Sequence, residues 1–419
     1  MPRTDSYLFL LSTPLPQYNV GMYAFFAKSR SIWLTVLLGL VACAIAGPLE
    51  AAVIVFSNKT PHAVTFVIGE KAEDTASQKA YQIATSDVLS VPVLKQKIVW
   101  FDAKQQNAKT DIKAAETSAD RPAKVIKSME VKSNSIYAFE GGDPLVLKHV
   151  FSAAAPAESS KYREEDIGKV LEVPIKILVD DDEPRRREIW ERDLRERVKE
   201  ASDIFEKTCR IRFHIVKVDT WKTSDGETEF EVTFNEFQKQ VKPERGIALA
   251  IGFTSQYEVQ STKRFHVGGT RGPFYPYILI REWSQHVGKP ERLELLVHEL
   301  GHVFGASHTR DQSSVMRPVV GDKQSNARSF RTKFDPLNTL AVYLFCEPIR
   351  LEKVRSMRQF SPESRTKLLS VYRELERQFP EDRSVTVYQR RLKWSNSTRF
   401  RRVKIPEARR EKSLLKEYQ

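Results

Sequence analysis

The sequence predicts an α+β protein in which a small all-β domain precedes a domain of alternating strands and helices. Three observations support this fold class. Short β-branched and aromatic runs fill the first part of the chain, strand-like and helical patterns alternate in the middle, and the last part is basic with helical periodicity. The 419 residues suffice for two or three domains with their own cores, and the 41% hydrophobic and 29% charged content is typical of a soluble globular protein.

The first 46 residues have the composition of a signal peptide. Lys28 precedes an apolar run over 32–46, which ends in the small residues that signal peptidase prefers. This run is short for a membrane-spanning helix, which needs about 20 residues. We therefore expect export to the periplasm, the cell envelope or the medium. The alternative is a lipoprotein anchored through Cys43, because the residues before it resemble a bacterial lipobox.

Residues 47–151 are predicted to form a β-sandwich-like N-terminal domain. Short strand-like runs alternate with turn residues in this range, as in a small sandwich or barrel. The pattern leaves open whether the domain is a prosegment or an accessory domain. Residues 152–166 have the composition of a linker.

Residues 167–348 are predicted to form the second domain, in which strands and helices alternate. The predicted elements in chain order are a strand at 171–181, a helix at about 184–208, strands at 211–218 and 246–253, an irregular edge strand within 265–282, a helix from Pro290, and a last helix from Pro336 that ends before Pro348. The strand at 246–253 is continuously apolar, which predicts a central position in the sheet.

Residues 349–419 are predicted to form a basic helical C-terminal extension. From Arg350 onward, 20 Lys and Arg stand against 9 Asp and Glu, which places +11 of the formal net charge of +13 in this part. Such a segment can bind anionic envelope polymers or membrane surfaces, but a solvated helical tail is the simpler interpretation. No specific nucleic-acid partner is predicted.

Two smaller features leave alternatives open. Cys209 and Cys346 are the cysteines that follow the signal sequence, and they form either one disulfide or two separate buried thiols. Asp180–Asp182 form either part of a structural calcium site or a solvated turn before a helix.

The segment HELGHVFGASH, residues 298–308, holds three of the eight histidines. On a helix, His298 and His302 lie on one face one turn apart, and imidazole is a favoured zinc ligand. Gly305 can end that helix in the left-handed conformation and return the chain, so that His308 reaches the same point. Three protein ligands leave the fourth position of a catalytic zinc open for water, and Glu299 is placed to take a proton from that water.

Here the chain resembles a known family. The segment fits the HExxHxxGxxH motif of the metzincin zinc metallopeptidases, and SVMRP is similar to their Met-turn. The eight-residue interval from His308 to Met316 resembles the matrixins, whereas the Met-Arg-Pro sequence resembles the reprolysin turn.

The resemblance implies a catalytic domain with a twisted mixed sheet and an active-site helix, one catalytic Zn²⁺ and cleavage of protein or peptide substrates. It implies that Gly305 and Met316 support the site. It also implies that an edge strand with Gly268, Gly269 and Thr270 binds the substrate backbone in extended form.

Two functions of other classes compete with a peptidase. One is an exported module that retains the metal without catalysis and serves binding or adhesion. The other is a binder of envelope polymers driven by the basic extension. On this prediction, a peptidase that lacks residues 350–419 still cuts its substrate, whereas a binder driven by the extension loses its partner.

Overall fold

The computed structural model describes most of the chain after the predicted signal peptide. The described residues are 52–94, 97–104, 125–154, 162, 164–227, 229–255, 267–282, 287–320, 324–327 and 330–393. The predicted signal peptide, Cys43 and the last part of the basic extension lie outside these ranges. Within them, no helix is both long and apolar enough to span a bilayer.

The first described part, 52–152, consists of two four-stranded sheets. Their orders are β4-β1-β7-β8 and β3-β2-β5-β6. The strands are β1 (Ala52–Asn58), β2 (Val64–Gly69), β3 (Lys79–Ile83), β4 (Val88–Val93), β5 (Lys97–Asp102), β6 (Ile126–Val131), β7 (Ser135–Glu140) and β8 (Val146–Ser152). The strand-like runs of the sequence correspond to the more buried strands, while β3 and β6 expose most of their side chains and carry little apolar alternation.

Strand β1 connects this part of the chain to the rest. All seven of its residues are buried, and it pairs with β4 on one side and β7 on the other. Ile54 and Phe56 point into the core between the two sheets, whereas Val53 and Val55 belong to the core of the second domain. Because alternate side chains of a strand face opposite ways, one sheet serves two cores. Release of 52–152 as a prosegment would expose this apolar face to water.

The second domain contains one five-stranded sheet in the order β10-β9-β11-β13-β12. Its first four strands run parallel, and β12 is antiparallel at the edge. The strands are β9 (Leu171–Asp180), β10 (Ile211–Trp221), β11 (Leu249–Thr254), β12 (Gly268–Gly269) and β13 (Tyr277–Arg281). The predicted central strand, β11, lies between β9 and β13 with every residue buried, and the predicted irregular edge strand is β12.

Seven α-helices surround or connect these strands within the described residues. They are α1 (Glu164–Gly168), α2 (Arg187–Cys209), α3 (Phe230–Gln240), α4 (Lys289–Val303), α5 (Pro336–Glu352), α6 (Pro362–Gln378) and α7 (Arg383–Lys393). Sequence reasoning missed α3, because Phe230, Val232 and Phe234 alternate with polar residues as in a strand. In the structure Phe230, Phe234 and Phe237 are buried on one stripe of the helix.

Helix α5 does not end before Pro348, as the sequence predicted; that prediction was wrong. Pro348 lies inside the helix, which continues to Glu352 and ends at Lys353 in the left-handed conformation. An interior proline costs about 3 kcal/mol because it removes a backbone donor. Burial of almost the whole helix offsets this cost, and the Arg350 guanidinium binds the Ile167 carbonyl at 2.9 Å. The helix therefore crosses the domain boundary predicted between 348 and 349.

The C-terminal extension, as far as it is described, is a folded layer rather than a solvated tail. Helices α6 and α7 form a hairpin against α5 and share the core of the second domain. The side chains of Leu368, Val371, Tyr372, Val385 and Leu392 are completely buried. We call residues 362–393 the C-terminal layer.

The structure distinguishes between the alternatives that the sequence left open for the two cysteines and for Asp180–Asp182. Cys209 and Cys346 are two free, buried thiols. Asp180 is buried and accepts a bond from the Ser255 backbone N–H, while Asp181 and Asp182 accept bonds from Thr223. Each of the three therefore accepts at least one bond from the protein's own donors, and the predicted calcium site has no support among the described residues.

Candidate metal centre

Two of the predicted ligands come from consecutive turns of α4. Pro290 occupies the first turn of this helix, and the Glu291 side chain caps the Gly288 backbone N–H. His298 and His302 are four residues apart, and their Nε2 atoms lie 3.1 Å from each other. The helical period therefore aims both imidazoles at one point, as expected.

The hydrogen bonds at the Nδ1 atoms of these two rings determine which ring nitrogen carries the proton. His298 Nδ1 lies 2.8 Å from the Val315 carbonyl oxygen, and His302 Nδ1 lies 3.1 Å from the Ala306 carbonyl oxygen. A carbonyl only accepts, so each Nδ1 carries the proton and each Nε2 presents a lone pair. Two lone pairs at this separation repel unless a cation lies between them. Tetrahedral zinc with Zn–N distances of about 2.0–2.1 Å places two nitrogens about 3.3 Å apart, close to the observed value.

Gly305 turns the chain after α4. Its φ of +87° lies in the left-handed region, and a Cβ there would come within 2.8 Å of the Phe345 ring and of Tyr372 Oη. Both the backbone conformation and the close approach therefore require glycine. The reversal brings His308 back, so that one ligand atom from each of the three histidines lies within 4.8 Å of the others.

The environment keeps the first two ligands neutral. Burial lowers the pKa of His298 well below its ordinary value, and the neighbouring His302 and His308 lower it further. Burial also lowers the pKa of His302 to about 3. Unprotonated imidazole is the form that binds a metal, so both rings are ready to do so at neutral pH. Among the described residues, this triad is the one group of metal-binding side chains close enough to share an ion.

Glu299 follows the first ligand in α4 and lies against the edge strand. Its side chain is 5% exposed, and burial raises the pKa of its carboxyl to about 8. A Cβ on Gly268 would lie 3.0 Å from Glu299 Oε1, so the β12 backbone passes directly against the carboxylate. Gly269 packs against the Phe230 ring, and the Thr270 hydroxyl donates to the Tyr277 carbonyl. The predicted strand residues and the predicted base are therefore neighbours.

Met316 lies under the helix that carries the ligands. It is completely buried, and a Cβ on Gly301 would come within 2.8 Å of its sulfur. The Thr309 backbone N–H donates to the Met316 carbonyl, which joins the turn to the segment just after His308. The turn also supplies the Val315 carbonyl that orients His298. The Met-turn thus contacts both α4 and the segment after His308, and the support of the site by Met316 stays a prediction.

Comparison with known proteins agrees with this geometry. Residues 176–339 match the sequence profile of metallo-peptidase family M12 (Reprolysin_5). The match runs from β9 to α5 and includes the three histidines, Glu299 and the Met-turn. This segment is a zinc metallopeptidase domain. The M12 match agrees with the reprolysin resemblance of the turn, whereas the matrixin-like subfamily stays a prediction.

The other comparisons are distant. No curated protein matches the chain. Among solved structures, the archaemetzincin AmzA of Methanopyrus kandleri is 16% identical, with a TM-score of 0.32 over 42% of this chain and 96% of its own. A structure described as a chaperone–substrate complex is 9% identical, with a TM-score of 0.29 over 52% of this chain and 40% of its own.

A buried ion pair ties the Met-turn to the active-site helix of the metallopeptidase domain. Arg317 and Glu294 are 1% and 0% exposed, and two guanidinium nitrogens of Arg317 lie 2.9 and 3.0 Å from the two carboxylate oxygens of Glu294. The guanidinium also lies over the Phe330 ring. This pair holds the residue after Met316 against the turn of α4 that precedes His298.

We expect Arg317→Met to destabilise the protein by about 3–5 kcal/mol, because it leaves the Glu294 carboxylate buried without its counter-ion. Chemical denaturation of wild type and variant measures this difference. The double variant Glu294→Leu/Arg317→Met removes both charges and should recover most of the loss. A single variant as stable as wild type would contradict the assigned role of the pair.

Sequence reasoning missed a set of residues that the C-terminal layer brings to the metallopeptidase site. Tyr372 Oη donates to the Gly305 carbonyl at 2.8 Å, and Tyr388 Oη lies 3.5 Å from His302 Nδ1. Asp382 Oδ2 accepts from the His308 backbone N–H at 2.9 Å. The one local signal is that Asp382, just before a helix, has a residue type typical of an N-cap. Nothing in the sequence links it to residues more than seventy positions away.

Proposed function

We propose that the protein is an exported zinc metalloendopeptidase that hydrolyses peptide bonds within protein or peptide substrates. One observation carries the proposal. Three imidazoles converge on one point, and Glu299, which follows the first of them in α4, has its carboxylate against the backbone of an edge strand. A purely structural metal site has no need of a buried carboxylate in that place.

The histidines and Glu299 have different roles in the proposed reaction. His298, His302 and His308 would hold the zinc through their ring nitrogens. Bound zinc supplies a Lewis acid that makes water acidic and polarises the scissile carbonyl. Glu299 accepts a proton from the attacking water and returns it to the departing amine. Burial raises the pKa of Glu299 and thus strengthens its affinity for the proton, while a cation held by the triad would favour its ionised form.

The edge strand supplies the surface for the substrate. Strand β12 is the last strand of its sheet, and an extended peptide beside it would continue the sheet by main-chain hydrogen bonds. Gly268 has no side chain, so such a peptide lies next to Glu299 without an obstacle. Recognition through main chain predicts broad sequence tolerance at the positions that face Gly268, Gly269 and Thr270.

The direct test combines metal analysis with peptide cleavage. We expect about one zinc per wild-type chain. We also expect internal cleavage of casein or peptide libraries that a chelator stops and added zinc restores. Sequencing the N-terminus of the exported protein tests its processing: we expect it to begin after residue 46, with 52–152 retained. Wild-type protein that carries zinc and cuts no peptide would favour the inactive binding module.

A test of the second candidate function, an envelope-polymer binder, requires a deletion that leaves the fold intact. Residues 362–393 belong to the core, so removal of 350–419 would damage a peptidase as well as a binder. Ending the chain after Lys393 removes the rest of the basic extension alone. A peptidase retains cleavage in this variant, whereas a binder driven by that extension loses its polymer.

A further inference from the structure

The C-terminal layer contributes a carboxylate to the proposed zinc site. We propose that Asp382 is a positioning residue for the zinc ligand His308, and that zinc affinity therefore depends on the C-terminal layer. The proposal rests on the proposed function, because it requires that the triad holds zinc. It adds a residue from outside the segment that matches the M12 family.

Asp382 holds His308 at two points. Its Oδ2 accepts from the His308 backbone N–H at 2.9 Å, and its Oδ1 lies 3.4 Å from His308 Nδ1. The contact at Nδ1 leaves Nε2 of the same ring for the metal. One carboxylate thus binds the His308 backbone and lies beside its ring, although the two residues are 74 positions apart.

Asp382 is itself held in place. It precedes α7, and its Oδ1 accepts from the Ser384 backbone N–H at 3.0 Å, while its Oδ2 accepts from the Ser384 hydroxyl at 2.6 Å. This is the position of an N-cap, where the positive end of the helix dipole stabilises a negative charge. A carboxylate held by its own donors therefore faces the ring.

The three ligands differ in the acceptor behind the ring. His298 and His302 face the neutral carbonyls of Val315 and Ala306, which belong to nearby parts of the chain. His308 faces a carboxylate from a distant helix. A carboxylate behind an imidazole fixes its tautomer and makes the opposite nitrogen a stronger ligand, and losing such a partner typically costs 10–100-fold in metal affinity.

The test compares zinc affinity in full-length variants by competition with a chromophoric chelator. Asp382→Asn keeps an oxygen that can cap α7 but removes the charge behind His308. We expect its zinc dissociation constant to rise about 10–100-fold. Glu381→Gln serves as the control with unchanged affinity, because it removes a neighbouring charge that is exposed and pairs with Arg310.

Asp382→Asn with wild-type zinc affinity would overturn the proposal. If that variant does not fold, a second measurement tests the proposal. Nitrogen NMR of histidine-labelled, zinc-loaded wild-type protein reports the tautomer of His308. We expect a protonated Nδ1 and a metal-bound Nε2 on His308, and the opposite arrangement would refute the assignment. A wild-type chain that takes up no zinc would instead refute the proposed function, so the two failures are distinct.

Discussion

Replacing Glu299 by glutamine is expected to reduce peptide hydrolysis by about 10²–10⁴-fold while zinc stays bound. Glutamine has nearly the same shape but accepts no proton at its amide, so the attacking water keeps its proton. The three histidines are unaltered, and their Nδ1 atoms face Val315, Ala306 and Asp382 rather than Glu299. The substitution should therefore lower the turnover rate and leave zinc binding unchanged.

Cleavage rates of a fluorogenic peptide and zinc content measure the two quantities in the same preparations. Glu196→Gln is the matched control, because Glu196 is an exposed partner of Lys289 at the start of the same helix. We expect that variant to cut at the wild-type rate. Equal cleavage by Glu299→Gln and wild type would remove Glu299 from the mechanism, even if zinc is present.

Ending the chain after Glu352 is expected to give an inactive protein that does not fold stably. The missing residues include five side chains with no solvent exposure, Leu368, Val371, Tyr372, Val385 and Leu392. Burying one such side chain contributes about 1.5–3 kcal/mol, and a whole domain is stable by only about 5–15 kcal/mol. The truncation also removes the Tyr372 bond to Gly305 and the Asp382 contacts with His308.

Expression of soluble protein, thermal unfolding and peptide cleavage test this prediction. The chain that ends after Lys393 is the control and should fold and cut like wild type. A soluble, active protein that ends after Glu352 would show that the C-terminal layer is dispensable. That result would restore the simpler picture in which the catalytic domain is complete near residue 348.

Most of the metal site could be predicted from a short stretch of sequence because its geometry is local. The helical period places His298 and His302 together, and a glycine three residues later supplies the reversal that returns His308. Local patterns also identified β11 as the central strand and β12 as an irregular edge strand. Residues within about ten positions of each other meet through backbone geometry alone, and sequence patterns record that geometry.

Sequence patterns failed where packing overrode local preference. A strand-like alternation folds as helix α3, because its phenylalanines are buried on one stripe. Helix α5 continues through Pro348 because its surroundings bury it on nearly every side. In both places the apolar surface removed from water outweighs propensities that amount to a few kcal/mol at most.

The sequence by itself determined the ligand set, the neighbouring carboxylate and the alternation of strands and helices, since each depends on the spacing of nearby residues. Only the tertiary structure decided that one face of β1 completes the second core, that Cys209 and Cys346 are separate thiols, and that Asp382 stands behind His308. They depend on contacts between residues far apart in the chain, 74 positions in the case of His308 and Asp382. Burial of shared apolar surface selects such contacts, and no local pattern encodes them.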